Sequence, residues 1–197
     1  MIVYHYSATL KEGDRLDPGH QRLTDLCEPF IQAFDYSRDC FYGMLLNGKY
    51  LFAVMDRSHL REWADYAKWA TEAIFEHVRR NEYPQCVSRL SCSYFCTDLT
   101  DSLRMYWEDW GEEDEEERNK VHLFEVEVSG DCLERRDIGL FDAAYDAIQD
   151  AQDAKAAMKY ARLYFQGEHL DEPNWEYLSA EKALAVRDIS DKLREIE

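Results

Sequence analysis

A histidine lies in the middle of the first apolar segment of the chain, where a core strand is expected. Residues 2–7 are rich in Tyr, Val and Ile, which favour strands because branched and flat side chains pack well on a pleated surface. Strand alternation places Val3, His5 and Ser7 on one face. An imidazole in this position is paired with a neighbour, exposed or functional. Most such histidines are satisfied core residues, so His5 becomes a candidate only in combination with others.

Two further polar side chains occupy predicted strands of their own. Tyr94 lies in residues 90–96 and Glu176 in residues 175–178. Taken singly, a strand Tyr is usually a packing residue, and a Glu at a strand end is usually exposed. Glu172 lies four residues before Glu176 and is an alternative acidic candidate, but only Glu176 opens a plausible strand.

The helices that must position these residues are predicted from apolar periodicity. Apolar residues at helical spacing predict a helix over about residues 58–80, with Pro84 just beyond its end. One or two Ala-rich helices are predicted over residues 141–165, closed by Gly167. Residues 20–50 have weak periodicity and contain a proline and two glycines, so mostly loop and short helix is expected there.

The strands and helices do not alternate in a βαβ rhythm. Strands are predicted at residues 2–7, 90–96, 121–128, 131–136, 175–178 and 183–189, with a short strand or helix lead at 50–55, a helix at 97–110 and a charged helical tail. This order favours an α+β domain with mostly antiparallel pairing. No internal repeat or linker is visible, so one domain spanning residues 1–197 is expected.

The composition excludes some classes of protein and favours others. The formal charge is -18, with 41 acidic and 23 basic residues, which opposes non-specific binding to nucleic acid and suits a basic protein partner or a small ligand. The acidic run at residues 108–117 predicts a solvated loop. No apolar run is long enough for a membrane span, and no signal peptide is visible. A cytoplasmic protein without membrane contact is expected.

The six cysteines are scattered, as in a protein with reduced thiols. Cys86, Cys92 and Cys96 come closest to a cluster, but they lack the paired short spacings of a zinc site. We therefore expect no bound metal.

Together, His5, Tyr94 and Glu176 resemble the His-Tyr-Glu triad of the ADP-ribosyltransferase fold, which diphtheria-type toxins, poly-ADP-ribose polymerases and rifampin ADP-ribosyltransferases share. The opening YHYS at residues 4–7, followed by LKEGD, is similar to that of the rifampin enzymes. The segment SYFC at residues 93–96 resembles the second motif, a strand that ends in Tyr-Phe.

The third motif of that fold is a strand that opens with Glu and two apolar residues. It is matched by EYL at residues 176–178, followed by ALAV at 183–186. Ser102 and Tyr106 lie roughly where the polymerases place a nicotinamide-binding Ser and a second stacking Tyr. The resemblance implies split antiparallel β-sheets with flanking helices.

A closer resemblance covers nearly the whole chain. The run AIFEHVR at residues 73–79, then Pro84, SRL at 88–90 and YAR at 160–162 are similar to a bacterial family of unknown function. That family is itself placed near the ADP-ribosyltransferases. A bacterial or phage toxin, or a phage-defence effector, is the kind of protein that this resemblance implies.

The resemblance implies NAD as co-substrate and assigns roles in its cleavage. Breaking the nicotinamide–ribose bond develops positive charge on the ribose, as glycoside hydrolysis does. Glu176 would hold the ribose 2′-hydroxyl and stabilise this cation. Tyr94, with Tyr106, would stack on nicotinamide, and His5 would orient the adenosine ribose.

One residue departs from the pattern of the fold. Tyr6 replaces the small Gly that lets the nicotinamide amide approach the backbone. Tyr6 and Ser7 still offer backbone groups for NAD, provided that the Tyr6 ring points away from the pocket. Alternation allows this, because Tyr6 lies on the face opposite His5.

Two classes of function stay open at the level of sequence. One is an ADP-ribosyltransferase with a macromolecular acceptor, either protein or RNA or DNA, and the other is a non-catalytic module that binds NAD, ADP-ribose or a protein. A metal-dependent hydrolase is a distant third. An antitoxin or chaperone is a further possible partner. Local cations for a nucleic-acid acceptor could come from Arg15, Arg22, Arg38, Lys49 and Arg89.

Overall fold

The structure is a computed structural model that describes residues 1–19, 21–41, 43 and 63–194, with no side-chain description at 21–23, 63–65 and 194. The predicted strand at 50–55 and the predicted helix start at Ser58 lie outside the described residues. Within the described part, no helix is long and apolar enough to cross a membrane.

The chain forms two compact units, each built from separated segments. The strand unit comprises Met1–Gly19, Cys92–Arg135 and Glu176–Glu197. The helical unit comprises His20–Ser91 and Arg136–Trp175. All seven residues predicted to bind NAD or act on it belong to the strand unit.

The described helices and strands define an α+β protein. The helices are α1 (Gln21–Tyr36), α2 (Trp63–Glu82), α3 (Leu99–Trp110), α4 (Glu115–Arg118), α5 (Gly139–Ala151), α6 (Ala154–Gln166) and α7 (Asp191–Arg194). The strands are β1 (Ile2–Ser7), β2 (Arg15–Leu16), β3 (Ser93–Phe95), β4 (His122–Glu127), β5 (Glu134–Asp137), β6 (Trp175–Ser179) and β7 (Ala183–Asp188). Short 3-10 helices occur at Arg89–Ser91 and Gly130–Cys132.

The strands form two sheets, one of four strands in the order β1-β4-β7-β2 and one of three in the order β3-β6-β5. The ladders β1–β4, β4–β7, β2–β7 and β3–β6 are all antiparallel. The predicted α+β class with antiparallel pairing is therefore confirmed. The strand predicted at 131–136 is only partly confirmed: residues 130–132 form a 3-10 helix, and the strand β5 comprises Glu134–Asp137 and belongs to the smaller sheet.

Both faces of β1 are packed, as its alternation predicts. Val3 joins a buried cluster with Phe95, Phe124 and Val126 on one face. Tyr4 and Tyr6 pack on the other face against a second buried cluster, which includes Leu123 and Tyr106. The inward side chains of β4 are buried while Glu127 is exposed. A polar side chain of β1 therefore projects towards one of two apolar layers.

The segment that carries Tyr94 is shorter and differently capped than predicted. The strand begins only at Ser93, because residues 89–91 form a 3-10 turn. The N-cap of α3 is Asp98, whose carboxylate accepts hydrogen bonds from the backbone N–H groups of Thr100 and Asp101. A threonine is also a favoured N-cap, so the sequence predicts Thr97 or Thr100 as the cap, and this prediction is wrong. A carboxylate satisfies orphan N–H groups at least as well as a hydroxyl and also favours the positive end of the helix dipole.

The acidic run is not a loop throughout. Its first residues complete α3, and Glu115–Arg118 forms α4, capped by Asp114. Three glutamates occupy the first turn of α4, where the helix dipole favours negative charge. The prediction of a loop is wrong for this turn, although its side chains are exposed apart from the half-buried Arg118.

The prediction of mostly loop over residues 20–50 is wrong where the structure describes them. Residues 21–36 form a helix of 16 residues that contains Pro29. A proline inside a helix costs roughly 3 kcal/mol. Along this helix a stripe of apolar side chains is buried, namely Leu26, Cys27, Phe30, Ile31 and Phe34. Packing of this stripe outweighs the cost of the proline.

The helices of the second half of the chain follow the prediction. Two helices, α5 and α6, are separated at Gln152, whose φ is 52°. Gly167 ends α6 with φ of 80°, a left-handed conformation that favours glycine. The earlier helix α2 ends at Glu82, two residues beyond the predicted end.

Candidate functional site

The site is built where β1 of the larger sheet meets β3 of the smaller one. Tyr4 and Cys96 exchange two backbone hydrogen bonds, with N···O distances of 2.8 and 3.0 Å. Among the described residues this is an isolated bridge, and the ladder does not extend to Tyr6 and Tyr94. The two strands therefore separate immediately beyond the bridge.

His5 lies at the point of separation. Its Nδ1 is 2.9 Å from the carbonyl oxygen of Tyr94, and because a carbonyl can only accept, Nδ1 carries the proton. Tyr94 lies two residues before Cys96, and Tyr6 lies two residues after Tyr4. If the antiparallel ladder continued, the Tyr94 carbonyl would therefore face Tyr6. The imidazole thus occupies a position that backbone pairing would fill. His5 holds the split between β1 and β3.

The backbone of Tyr6 borders this split. N–H and C=O groups of alternate residues point to the same side of a strand. Because those of Tyr4 point at Cys96, the residue directly after β3, those of Tyr6 also point towards β3. They lie beyond the last bridge, where the strands have separated. The resemblance assigned these two backbone groups to the nicotinamide amide.

Tyr94 and Glu176 share one face of the smaller sheet. The register pairs Tyr94 with Leu178 and Phe95 with Tyr177. One further step places Cys96 opposite Glu176, and alternation puts Tyr94, Cys96 and Glu176 on the same face. Glu176 is only 2% exposed. The carboxylate predicted to act on ribose is therefore buried on the face that carries Tyr94.

His5 does not share that face. Its ring lies 5.8 Å from the ring of Phe95, on the side of the buried cluster that contains Val3. His5 therefore meets Tyr94 through a backbone carbonyl at the edge of the split. The structure brings the His and Tyr into direct contact and the Tyr and Glu onto one face, but it does not place all three side chains on a common face.

The ring of Tyr6 lies on the side of Glu176. Its hydroxyl donates to Asp109 Oδ2 at 2.7 Å, and its ring meets Trp110 edge-on with centroids 4.8 Å apart. Burial raises the pKa of the Tyr6 phenol far above its usual value, and the charge of Asp109, which accepts its hydrogen bond, and the charge of Glu176 raise it further. The ring also lies parallel to the His5 ring, with centroids 6.4 Å apart, so it does not point clear of His5 as alternation predicted.

Cys96 is a member of this cluster that sequence reasoning did not include. Burial raises the pKa of its thiol to about 11, the charges of Asp101 and Glu176 add to this effect, and the neighbouring Ser102 and Arg104 oppose it. The thiol is therefore neutral at physiological pH and a poor nucleophile. Its position two residues after Tyr94, on the same strand face, is the signal that could have identified it.

The hydroxyl groups of Ser7 and Ser102 both form hydrogen bonds with backbone groups a few residues away. Ser7 Oγ accepts from the backbone N–H groups of Thr9 and Leu10, each at 3.2 Å. Ser102 is 1% exposed, and its hydroxyl donates to the carbonyl of Asp98 at 2.9 Å. Both hydroxyls hold turns that flank the split. Their contact with NAD stays a prediction.

Tyr106 is packed in the interior of the strand unit. It is 3% exposed, lies between Trp107 and Trp110, and donates its hydroxyl to the carbonyl of Arg118 at 3.2 Å. Its phenol is thus directed to the end of α4. Stacking of Tyr106 on nicotinamide stays a prediction.

Glu172 lies in the helical unit and is exposed, whereas Glu176 is the second residue of β6 and is buried. The choice of Glu176 over Glu172 accordingly agrees with strand placement. Within the part of the chain that the structure describes, no group of three or more His, Cys, Asp or Glu residues is arranged to hold a metal ion. All six cysteines are free thiols.

These features define an α+β protein with two antiparallel sheets that separate at a His–Tyr contact. The chain belongs to a family described as a protein of unknown function (DUF2441), which matches residues 32–191. The matched range includes Tyr94 and Glu176 and begins after His5. No curated protein matches the chain.

The shifted pKa of Cys96 leads to a prediction about alkaline stability. A thiol that titrates at about 11 when folded and near its ordinary value of 9.0 when unfolded binds more protons in the folded state between these two values. The free energy of unfolding therefore falls as the pH rises from about 9 to 11. We expect Cys96→Ala to reduce this slope, measured by urea unfolding at a series of pH values.

The control is Cys40→Ala, because Cys40 is exposed. The Cys96→Ala variant loses some stability at every pH through its smaller side chain, so the readout is the slope. Equal alkaline slopes for the Cys96→Ala, Cys40→Ala and wild-type proteins would show that the Cys96 thiol is not protected.

Proposed function

We propose that this protein is an NAD-dependent ADP-ribosyltransferase that transfers ADP-ribose to a macromolecular acceptor, protein or nucleic acid, on an ADP-ribosyltransferase-like fold. The observation that carries the proposal is the split between β1 and β3, held by the His5–Tyr94 hydrogen bond of 2.9 Å. A split between two sheets, with a carboxylate on the adjoining face, is what the His-Tyr-Glu resemblance implies.

The nicotinamide end of NAD would bind at the split. Its carboxamide has one donor and one acceptor group, which matches the N–H and C=O of Tyr6 that point towards β3. Tyr94 is half-buried and offers an aromatic ring for stacking on the pyridine ring. Its backbone position is fixed by the hydrogen bond from His5. These contacts would hold the leaving group in one orientation.

Glu176 would supply the charge for the chemical step. The bond between ribose C1 and the pyridine nitrogen breaks, and nicotinamide leaves with the electron pair. The acceptor atom then bonds to C1 and loses its proton. A carboxylate that is 2% exposed interacts strongly with a developing cation because little water screens it. Preorganised charge of this kind contributes a few kcal/mol, on the order of 3.

The test is incubation of the protein with NAD labelled in the adenylate part and with a cell lysate. We expect label to enter macromolecules and nicotinamide to be released. Protease and nuclease digestions then assign the acceptor to protein or nucleic acid. Complete retention of NAD with every lysate tested would contradict the transferase.

A second candidate is a binding module without transferase activity, and the position of Tyr6 favours it. The ADP-ribosyltransferases that the chain resembles have a small Gly there, whereas the Tyr6 ring lies on the side of Glu176 and is anchored to Asp109. A ring so placed reduces the room beside the carboxylate. The module would bind NAD or ADP-ribose without consuming it, and Glu176→Gln would leave its affinity unchanged.

The wider role follows from the transferase proposal. A toxin or phage-defence effector would have to be inhibited in the cell that produces it. The charge of -18 suits a basic antitoxin or chaperone. A nucleic-acid acceptor would need cations at the surface. Arg15 is exposed, but Arg89 is buried against Glu72 and cannot serve. Lys49 and the side chain of Arg22 lie outside the described part of the chain.

A further inference from the structure

The helical unit contains a small pocket with an unusual distribution of charge. Its volume is about 200 Å³, and it is lined by Phe34, Arg38, Lys155, Met158 and Arg162. Phe34 and Arg38 are four residues apart in helical segments, and the other three lie at spacings of three and four on α6. Each segment thus presents one face to the pocket.

Three of the five lining residues are basic and none is acidic. This clustering is notable in a chain with 41 acidic and 23 basic residues. Arg162 forms a bidentate pair with Glu82, at 2.7 and 2.8 Å. Among the described residues, Arg38 and Lys155 have no ion-pair partner. Two cationic groups therefore remain to meet an anion.

Asp35, Asp153 and Glu82 each contact other groups. Asp35 lies 3.7 Å from His77. Asp153 caps α6 and accepts from the backbone N–H groups of Lys155 and Ala156, at 3.0 Å each. With Glu82 paired to Arg162, both Asp153 and Glu82 are held by other groups, and Asp35 is exposed. Neither Asp35 nor Asp153 lines the pocket.

The wall of the pocket is apolar and fixed by packing. Phe34 and Met158 are 6% and 7% exposed. The Phe34 ring stacks on His77 at 4.5 Å and lies 3.7 Å from the Phe41 ring, measured between centroids. A rigid apolar wall beside cationic groups suits a ligand that has a hydrophobic part next to its charge.

We infer that this pocket binds a phosphate group carried on an aromatic or apolar moiety. A phosphate monoester has close to two negative charges and several acceptor oxygens, which match the Arg and Lys donors. The small volume limits the ligand to about the size of a single phosphomonoester. The inference stands on the helical unit alone and is independent of the proposed transferase.

The test is a titration with phenyl phosphate, followed by NMR of the isotope-labelled protein at constant ionic strength. We expect saturable shifts of residues around Phe34 and Met158, and weaker binding of inorganic phosphate, which lacks the ring. Lys155→Ala should weaken phenyl phosphate binding at least about tenfold, as expected for loss of a charge-assisted hydrogen bond.

The matched control is Lys159→Ala, which removes the same charge from an exposed position of the same helix but outside the pocket. This variant should keep wild-type affinity for phenyl phosphate. If the two substitutions weaken binding equally, phenyl phosphate binds through non-specific charge attraction, and the inference is wrong. Failure of phenyl phosphate to bind at millimolar concentration would overturn it as well.

A competition experiment distinguishes two sources of the phosphate group. If a short oligonucleotide with a 5′-phosphate displaces phenyl phosphate and the same oligonucleotide with a 5′-hydroxyl does not, the pocket binds nucleic-acid ends. If neither displaces it, the ligand is a small phosphomonoester. Both results support a phosphate site, whereas equal displacement by both oligonucleotides contradicts recognition of the phosphate group.

Discussion

Replacing Glu176 by Gln is expected to lower ADP-ribose transfer at least about a hundredfold while NAD affinity changes little. Gln keeps the size and hydrogen-bonding capacity of the side chain but removes the charge that faces the ribose cation. Charge that acts mainly on the transition state affects turnover rather than ground-state binding. A hundredfold effect corresponds to about 2.7 kcal/mol, which is within reach of a carboxylate that is 2% exposed. Initial rates against NAD concentration measure both quantities.

The matched control is Glu172→Gln, which removes the same charge from an exposed position four residues earlier. It should leave both turnover and the NAD requirement unchanged. Thermal melts of the two variants exclude unfolding as the cause, since Glu176 is buried. Near wild-type turnover in the Glu176→Gln protein would remove Glu176 from the proposed mechanism.

The second large effect is expected on stability, in the helical unit. Arg89 is 6% exposed, pairs with Glu72 Oε2 at 3.1 Å, and donates to the Tyr164 hydroxyl at 2.9 Å. Its guanidinium also lies 4.3 Å from the Phe141 ring centroid. Arg89→Ala leaves the buried carboxylate of Glu72 without this partner. We expect the free energy of unfolding to fall by about 3–5 kcal/mol, measured by denaturant titration.

The control for this substitution is Arg162→Ala. Arg162 forms an equally close pair with Glu82, but 39% of its side chain is exposed, so its loss should cost only about 0.2–1 kcal/mol. If the two substitutions have similar effects on stability, the Arg89–Glu72 pair does not organise the helical core.

Arg89 lies in one of the segments that carry the resemblance to the family of unknown function. Within another of these segments, Glu76 accepts hydrogen bonds from Arg79 and Arg80 and from Ser88, at 2.7 to 2.9 Å. Arg79 and Ser88 hold the pKa of Glu76 below its usual value against the opposing effect of burial. These residues therefore stabilise the helical unit. They do not indicate which reaction takes place where β1 and β3 separate.

The local elements could be predicted because their patterns are local. The alternation of residues 2–7 and the Gly167 cap are visible in a few neighbouring residues, and the structure confirms both. The sequence does not predict helix α1, because a proline inside a segment argues against a helix. The apolar stripe of α1 indicates a helix only if the fold tolerates Pro29. That tolerance depends on packing against distant parts of the chain.

The geometry of the site could be predicted only in part. The choice of His5, Tyr94 and Glu176 came from a resemblance, and their contacts depend on strands that are far apart in sequence. The hydrogen bond from His5 to the Tyr94 carbonyl spans 89 residues. The location of the Tyr6 ring on the side of Glu176 depends on how β1 meets β3, which alternation within one strand does not determine.

The proposed transferase requires that NAD bind where β1 and β3 separate. The most direct measurement is NMR of the protein with labelled histidine rings during titration with NAD, with the His5 signal assigned through His5→Gln. We expect a saturable shift of the His5 signal and little change at the His77 and His169 signals. Saturable binding that leaves the His5 signal unmoved, or no binding at all, would contradict this expectation.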